Sequence, residues 1–233
     1  MTGNWAIQWL SWALPFVPYN RKMGDSIALT EYPSASPRAA ILLAHGAGAG
    51  QTSPFMVRAG RGFAGRQVVA ATFDFPYITA GRKVPDRAPA LEAAWRQAVS
   101  AGRSRFGSLP LFIGGKSMGG RIASHIAAQG GAGDLAGLVF FGYPLHPPAK
   151  PQQRRDVHLP QIAEPLLFIQ GSRDPFGTSS EIRALLPSLG RATLHEVVGG
   201  DHSLKVPARS GGKDAVEAAL DAAAEWIHAL GAS

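Results

Sequence analysis

Residues 109–121 read Leu109-Pro110-Leu111-Phe112-Ile113-Gly114-Gly115-Lys116-Ser117-Met118-Gly119-Gly120-Arg121. A short apolar run ends in Gly-x-Ser-x-Gly and passes into a stretch of small residues with helical character. A serine in that setting sits on a strand-to-helix turn so sharp that its backbone is strained. Side chains two residues before and two residues after it would collide, and both positions, Gly115 and Gly119, are glycine. Such a turn holds a hydroxyl at the end of a strand, so it demands a sheet whose strands feed helices.

The rest of the chain supplies that sheet. Residues Ala39–Ala44 are apolar throughout and run straight into His45-Gly46-Ala47-Gly48-Ala49-Gly50. A strand without polar alternation is buried on both faces, as in a parallel sheet covered by helices. Further strands are expected over 26–32, 67–73, 111–114, 135–141, 165–170 and 193–198, and helices over 85–101, 118–129 and 213–230. This alternation predicts an α/β fold with a mostly parallel central sheet and helices on both faces. Ligands of such sheets gather at the carboxyl ends of the strands, where every motif below falls. The only sizeable insertion, 146–164, is too short for a full cap domain, so an open site is expected.

The chain has 233 residues, 45% of them hydrophobic and 17% charged, enough for one substantial core. Two parts are expected: a tryptophan-rich segment over residues 1–25 and one domain over 26–233. Trp5, Trp9 and Trp12 fall on one face of a helix. That segment has three readings: a helix packed on the domain, an interfacial membrane helix, or a stretch ahead of a true start at Met23. It has no basic residue before Arg21 and is too short to span a bilayer, so stable membrane insertion is not expected. With no cysteine, disulfides, a thiol nucleophile and zinc–thiolate sites are excluded. The same absence is compatible with a reducing cytoplasm, the expected location. The formal net charge of +7 is scattered, and no nucleic-acid-binding motif accompanies it, so no nucleic-acid partner is expected.

A serine hydroxyl needs a base, and the base needs an orienting carboxylate. After Ser117 the chain offers them in the order Ser, Asp, His. Asp174 follows the strand over 165–170, in Gly171-Ser172-Arg173-Asp174-Pro175-Phe176-Gly177, and His202 follows the last strand, in Gly199-Gly200-Asp201-His202. The roles read are Ser117 as nucleophile, His202 as base then acid, and Asp174 as its orienter, with Asp201 the rival carboxylate. An oxyanion hole needs two N–H donors. The Met118 amide supplies one, and the loop after Ala39–Ala44 the other, with Ala47 the choice and Gly48 the reserve. The same loop fails as a phosphate-binding loop because it lacks the Gly-Lys-Ser/Thr ending.

Gly46, Gly48, Tyr77, Tyr143, Leu145 and His146 are expected to line a substrate pocket. Lys116 and Arg121 flank the elbow, with an anionic substrate as one reading and a solvated or helix-packing role as the other. His195 and His125 read as structural. No metal and no cofactor are expected. The function expected is hydrolysis of a small-molecule ester or thioester through an acyl-enzyme. The alternative is an interaction protein on the same fold with vestigial chemistry, whose mark would be a lost triad or oxyanion element; none is lost.

Taken together, His45-Gly46-Ala47-Gly48, Phe73-Asp74-Phe75-Pro76-Tyr77, the elbow from Gly114 to Arg121, Gly142-Tyr143-Pro144-Leu145-His146-Pro147-Pro148, the Asp174 loop and Gly200-Asp201-His202 resemble the compact α/β-hydrolases related to dienelactone hydrolase. Within them, the set is similar to the branch of the testis-expressed hydrolase-like protein and a subunit of the nonspecific-lethal chromatin complex. The resemblance spans roughly residues 26–230 and implies Ser117, Asp174 and His202 as the triad positions. Dienelactone hydrolases proper use a cysteine nucleophile, which this chain lacks, so their substrate is not implied.

Overall fold

A computed structural model describes residues 27–207 and 214–231. The tryptophan-rich segment over residues 1–25 lies outside the described residues. Strand β1 (Thr30–Tyr32) precedes β2 (Ala39–Ala44), α1 (Pro54–Ala64), β3 (Val68–Phe73), α2 (Pro76–Thr79) and α3 (Ala88–Phe106). Then come β4 (Leu111–Lys116), α4 (Met118–Ala128), β5 (Gly137–Phe141), β6 (Leu166–Gly171), α5 (Ser179–Leu185), β7 (Ala192–Val197) and α6 (Ala215–Gly231).

Among the described residues the strands form one sheet in the order β1-β3-β2-β4-β5-β6-β7. Only β1 runs antiparallel, paired to β3; the other pairings are parallel. The central strands are buried on both faces, which explains their unbroken apolar sequence. Alternate residues serve opposite layers. Ala40, Leu42 and Ala44 pack with Trp95 of α3 and Ile122 of α4. Ala39, Ile41 and Leu43 pack with Phe63 of α1 and Leu220 of α6.

The sheet order carries the site. The chain leaves β2 toward β3 on one side and returns to β4 on the other, so β2 and β4 are neighbours with diverging connections. Their carboxyl ends form the crevice at this switch point. Ala44 pairs with Gly115 there, which sets the loop after β2 against the elbow after β4.

Several expectations need correction. The helix expected from residue 85 begins at Ala88, with Pro89 in its first turn and Arg87 extended as its N-cap. Helices α1, α2 and α5 were not anticipated. The strand over 193–198 is the sheet's far edge, so His195 is half-buried and borders a surface groove instead of being packed in the core. The insertion over 146–164 folds down against α4 through buried Leu159 and Ile162.

Candidate active site

At Ser117 the backbone has φ 52° and ψ −117°, a conformation that a side chain adopts only under strain. Its amide is held by the Phe141 carbonyl at 3.1 Å, from the neighbouring strand β5. The two elbow glycines are sterically required. A Cβ on Gly115 would stand 2.1 Å from the Ala44 carbonyl oxygen, and one on Gly119 would stand 2.2 Å from the same atom. The elbow is thus wedged against the end of β2.

Three side chains from three strand ends meet in one row. Ser117 Oγ donates to His202 Nε2 at 2.9 Å. His202 Nδ1 lies 2.7 Å from Asp174 Oδ2 and donates to it, because Nε2 is the acceptor for the serine. Asp174 is buried and is itself held by neighbours: the Phe176 amide donates to Oδ1 at 2.8 Å and Gln170 Nε2 to Oδ2 at 3.0 Å. Phe176 lies against the His202 ring with centroids 4.3 Å apart. The rival carboxylate, Asp201, is occupied by the amides of Ser203 and Lys205 and shapes the loop instead.

Opposite this row, the amides of Ala47 and Met118 have no hydrogen-bond acceptor among the described residues, and both border the cavity beside Ser117. His45 sets the direction of the first. Its buried ring accepts the Phe75 amide at Nε2, 3.2 Å, so the proton sits on Nδ1 and is donated to the Gly46 carbonyl at 2.8 Å. Desolvation holds the His45 pKa below its ordinary value, which keeps the ring neutral. In a trans peptide the C=O and N–H point opposite ways, so fixing the Gly46 oxygen turns the Ala47 N–H away from His45. Gly48, the reserve donor, is engaged: its amide donates to Tyr77 Oη at 3.0 Å.

The cavity has a volume of about 490 Å³. Gly46 and Ala47 line it together with Ser117, Met118, Arg121 and His202. Five expected wall residues do not line it. Gly48 and Tyr77 brace the loop from behind. Tyr143 is buried with its hydroxyl donating to the Arg155 carbonyl at 3.1 Å. Leu145 packs beneath Gly177, and His146 pairs with Glu181 at 3.0 Å, away from the crevice. The loop of Tyr143, Leu145 and His146 reaches the cavity through Pro144, and the Asp174 loop reaches it through Phe176. Ser124 and His158 form another serine–histidine contact, 2.7 Å, but Ser124 is buried and donates to the Arg121 carbonyl.

Reading the sequence did not find Gln170, which ties Asp174 to the Gly177 carbonyl at 2.5 Å and accepts the Tyr143 amide at 2.7 Å. Its signal was a glutamine at the end of an apolar strand, a polar residue in a place that requires partners. Lys116 was noticed for its charge, but the structure turns its half-buried side chain so that the ammonium donates to the His202 carbonyl.

The α/β-hydrolase domain model matches residues 37–229. The chain belongs to this family. Solved structures share the fold at low identity. A dienelactone hydrolase from Anabaena variabilis is 19% identical with a TM-score of 0.69, covering 92% of this chain and 97% of its own. The esterase domain of a Rhodothermus marinus protein is 14% identical at 0.66, covering 91% and 96%. A thermophilic esterase from Thermogutta terrifontis is 19% identical at 0.64, covering 88% and 90%. In this hydrolase domain no described helix is long and apolar enough to cross a membrane.

Proposed function

We propose that this hydrolase cleaves carboxylic esters or thioesters with Ser117 as nucleophile. The observation that carries the reading is the unbroken row Ser117–His202–Asp174 facing two unengaged backbone amides across one cavity. Ser117 Oγ attacks the substrate carbonyl as His202 Nε2 takes its proton, and buried Asp174 stabilises the imidazolium. The carbonyl oxygen, now negative, receives the Ala47 and Met118 N–H groups. His202 returns the proton to the departing alkoxide or thiolate, leaving an acyl-serine. Water attacks that ester with His202 as base, and the acid and free serine are released. Each donor in the oxyanion hole contributes about 100- to 1000-fold in rate. The esterases among the structural neighbours, one with butyrate bound, support an ester-type bond. The motif resemblance supports a place in the branch of the testis-expressed hydrolase-like protein.

The reading is tested with a fluorophosphonate probe. Wild type should label, and Ser117→Ala and His202→Ala should not, with all three proteins giving cooperative thermal unfolding. A folded wild type that neither labels nor hydrolyses p-nitrophenyl acetate overturns the reading.

A further inference from the structure

Arg121 stands one helical turn after Ser117; its amide donates to the Ser117 carbonyl at 3.0 Å. Residues four apart share a helix face, and side chains lean toward the helix N-terminus, so the guanidinium lies over the elbow side of α4. It lines the same cavity as Ser117 and His202. Its partners are few. Nη1 contacts His125 Nε2 at 3.4 Å, and Nε is buried with no hydrogen-bond partner among the described residues. Arg155, from the folded-down insertion, lines the cavity too and is close enough to Arg121 to repel its charge. Neither arginine has a carboxylate within ion-pair distance among the described residues, unlike Arg58, Arg66, Arg82, Arg105, Arg154 and Arg183.

The surroundings do not neutralise this pair. Glu92 is committed to His125 at 3.0 Å, to Gln129 at 3.3 Å and, more loosely, to Arg96 at 3.8 Å. Asp86, the carboxylate on the cavity wall, is paired to Arg82 at 2.7 Å. Asp156 is paired to Arg154. Lys116 turns its ammonium to the His202 carbonyl. Under Arg121 the rings of His125 and His158 stack edge to face, centroids 4.5 Å apart. Desolvation lowers the pKa of both, that of His158 to about 4, so they are neutral at pH 7. Two half-buried guanidinium groups on one cavity wall, with no carboxylate of their own among the described residues, favour an anion that enters to pair with them. Arg121 and Arg155 line the cavity onto which Ser117 opens.

Resting on the hydrolase reading above, we propose that Arg121 and Arg155 form an anion subsite, and that the natural substrate is an ester or thioester carrying a carboxylate a few bonds from the scissile carbonyl. Guanidinium groups receive a carboxylate through paired N–H donors, which fixes orientation as well as affinity. A charge-assisted bond of this kind is worth about 10- to 100-fold.

Matched substrates test it. The carboxylate is placed on the acyl side in p-nitrophenyl hydrogen adipate, against p-nitrophenyl valerate. It is placed on the alcohol side in 4-acetoxybenzoate, against 4-acetoxybenzamide. Wild type should favour the anionic member of one pair by about 10- to 100-fold in kcat/KM. Arg121→Gln should collapse that ratio toward unity, and Arg155→Gln, at a half-buried position on the insertion, should lower it as well. Arg121→Lys should restore part of it. Neutral esters turned over with no anionic preference in either pair would overturn the subsite while leaving the hydrolase reading intact. If the enzyme neither labels with fluorophosphonate nor cleaves any ester, the hydrolase reading fails and the subsite is read by calorimetry with adipate alone. Binding lost in Arg121→Gln would then sustain it, and no binding to wild type would overturn it.

Discussion

Single residues around the row of Ser117, His202 and Asp174 do work that the row itself cannot. Gln170 is buried, and its amide joins Asp174 to the Tyr143 and Gly177 backbones. Gln170→Leu keeps the volume and removes every one of these bonds. It should lower stability by about 1–3 kcal/mol, because the Tyr143 N–H is left unsatisfied. It should also lower kcat at least tenfold as Asp174 loses its lock, while KM changes little; thermal melts and ester kinetics would show both. Lys116 makes a second case. Its side chain is half-buried, and desolvation pushes its pKa down to about 8 against the opposing pull of Asp174 and Asp201. Below pH 8 the fold carries a charge that it would release more readily than the unfolded chain, a cost of about 3 kcal/mol. The folded pKa lies below the unfolded one, so the unfolded chain binds more protons between pH 8 and the ordinary lysine value of 10.5. Stability from this group therefore rises with pH through that window. Lys116→Met should be at least as stable as wild type at pH 7, and its advantage should shrink by about 2–3 kcal/mol by pH 10, read from urea midpoints. It should still lose turnover, because the His202 carbonyl loses its donor.

Elements show why part of this was legible and part was not. Strands β2, β4 and β6 were legible as apolar runs that lead into glycine-containing turns, and Ser117 and Asp174 lie in the turns after β4 and β6. Helix α1 has a buried stripe of Met56, Ala59, Gly60 and Phe63 with Pro54 at its start, a helical period diluted by its glycines. Helix α5 carries a full capping box, Thr178 with Glu181, the marker by which so short an element can be found. The pocket wall could not be read in the same way. Loop side chains have no period, so nothing in Tyr77, Tyr143, Leu145 or His146 said that they turn inward while Pro144 and Phe176 face the crevice. Helix α4 meets the end of β2 closely at the elbow. Gly119→Ala would push a Cβ to 2.2 Å from the Ala44 oxygen, backbone against backbone. It should cost about 3 kcal/mol and displace Ser117 from His202. Gly190→Ala, with nothing within 4 Å, should change stability by less than about 0.5 kcal/mol. Paired denaturation curves with fluorophosphonate labelling would separate the two.

At the scale of the whole molecule, charge links the surface to the site. The formal net charge is +7, and the cavity beside Ser117 adds two arginines without carboxylate partners. A cationic protein with a cationic cavity concentrates anionic small molecules at its crevice, and dissolved salt removes that advantage. Raising ionic strength from about 0.01 M to about 0.15 M shortens the screening length from about 30 Å to about 8 Å. Across that range kcat/KM for the anionic ester should fall several-fold, whereas its neutral partner should change less than about twofold. The two components separate by mutation. Arg121→Gln removes the short-range pairing but only one positive charge, so the salt slope for the anionic ester should persist at reduced absolute rate. Equal salt slopes for anionic and neutral esters in wild type would mean that the surface charge does not reach the crevice, and that any selectivity comes from Arg121 and Arg155 at contact distance alone.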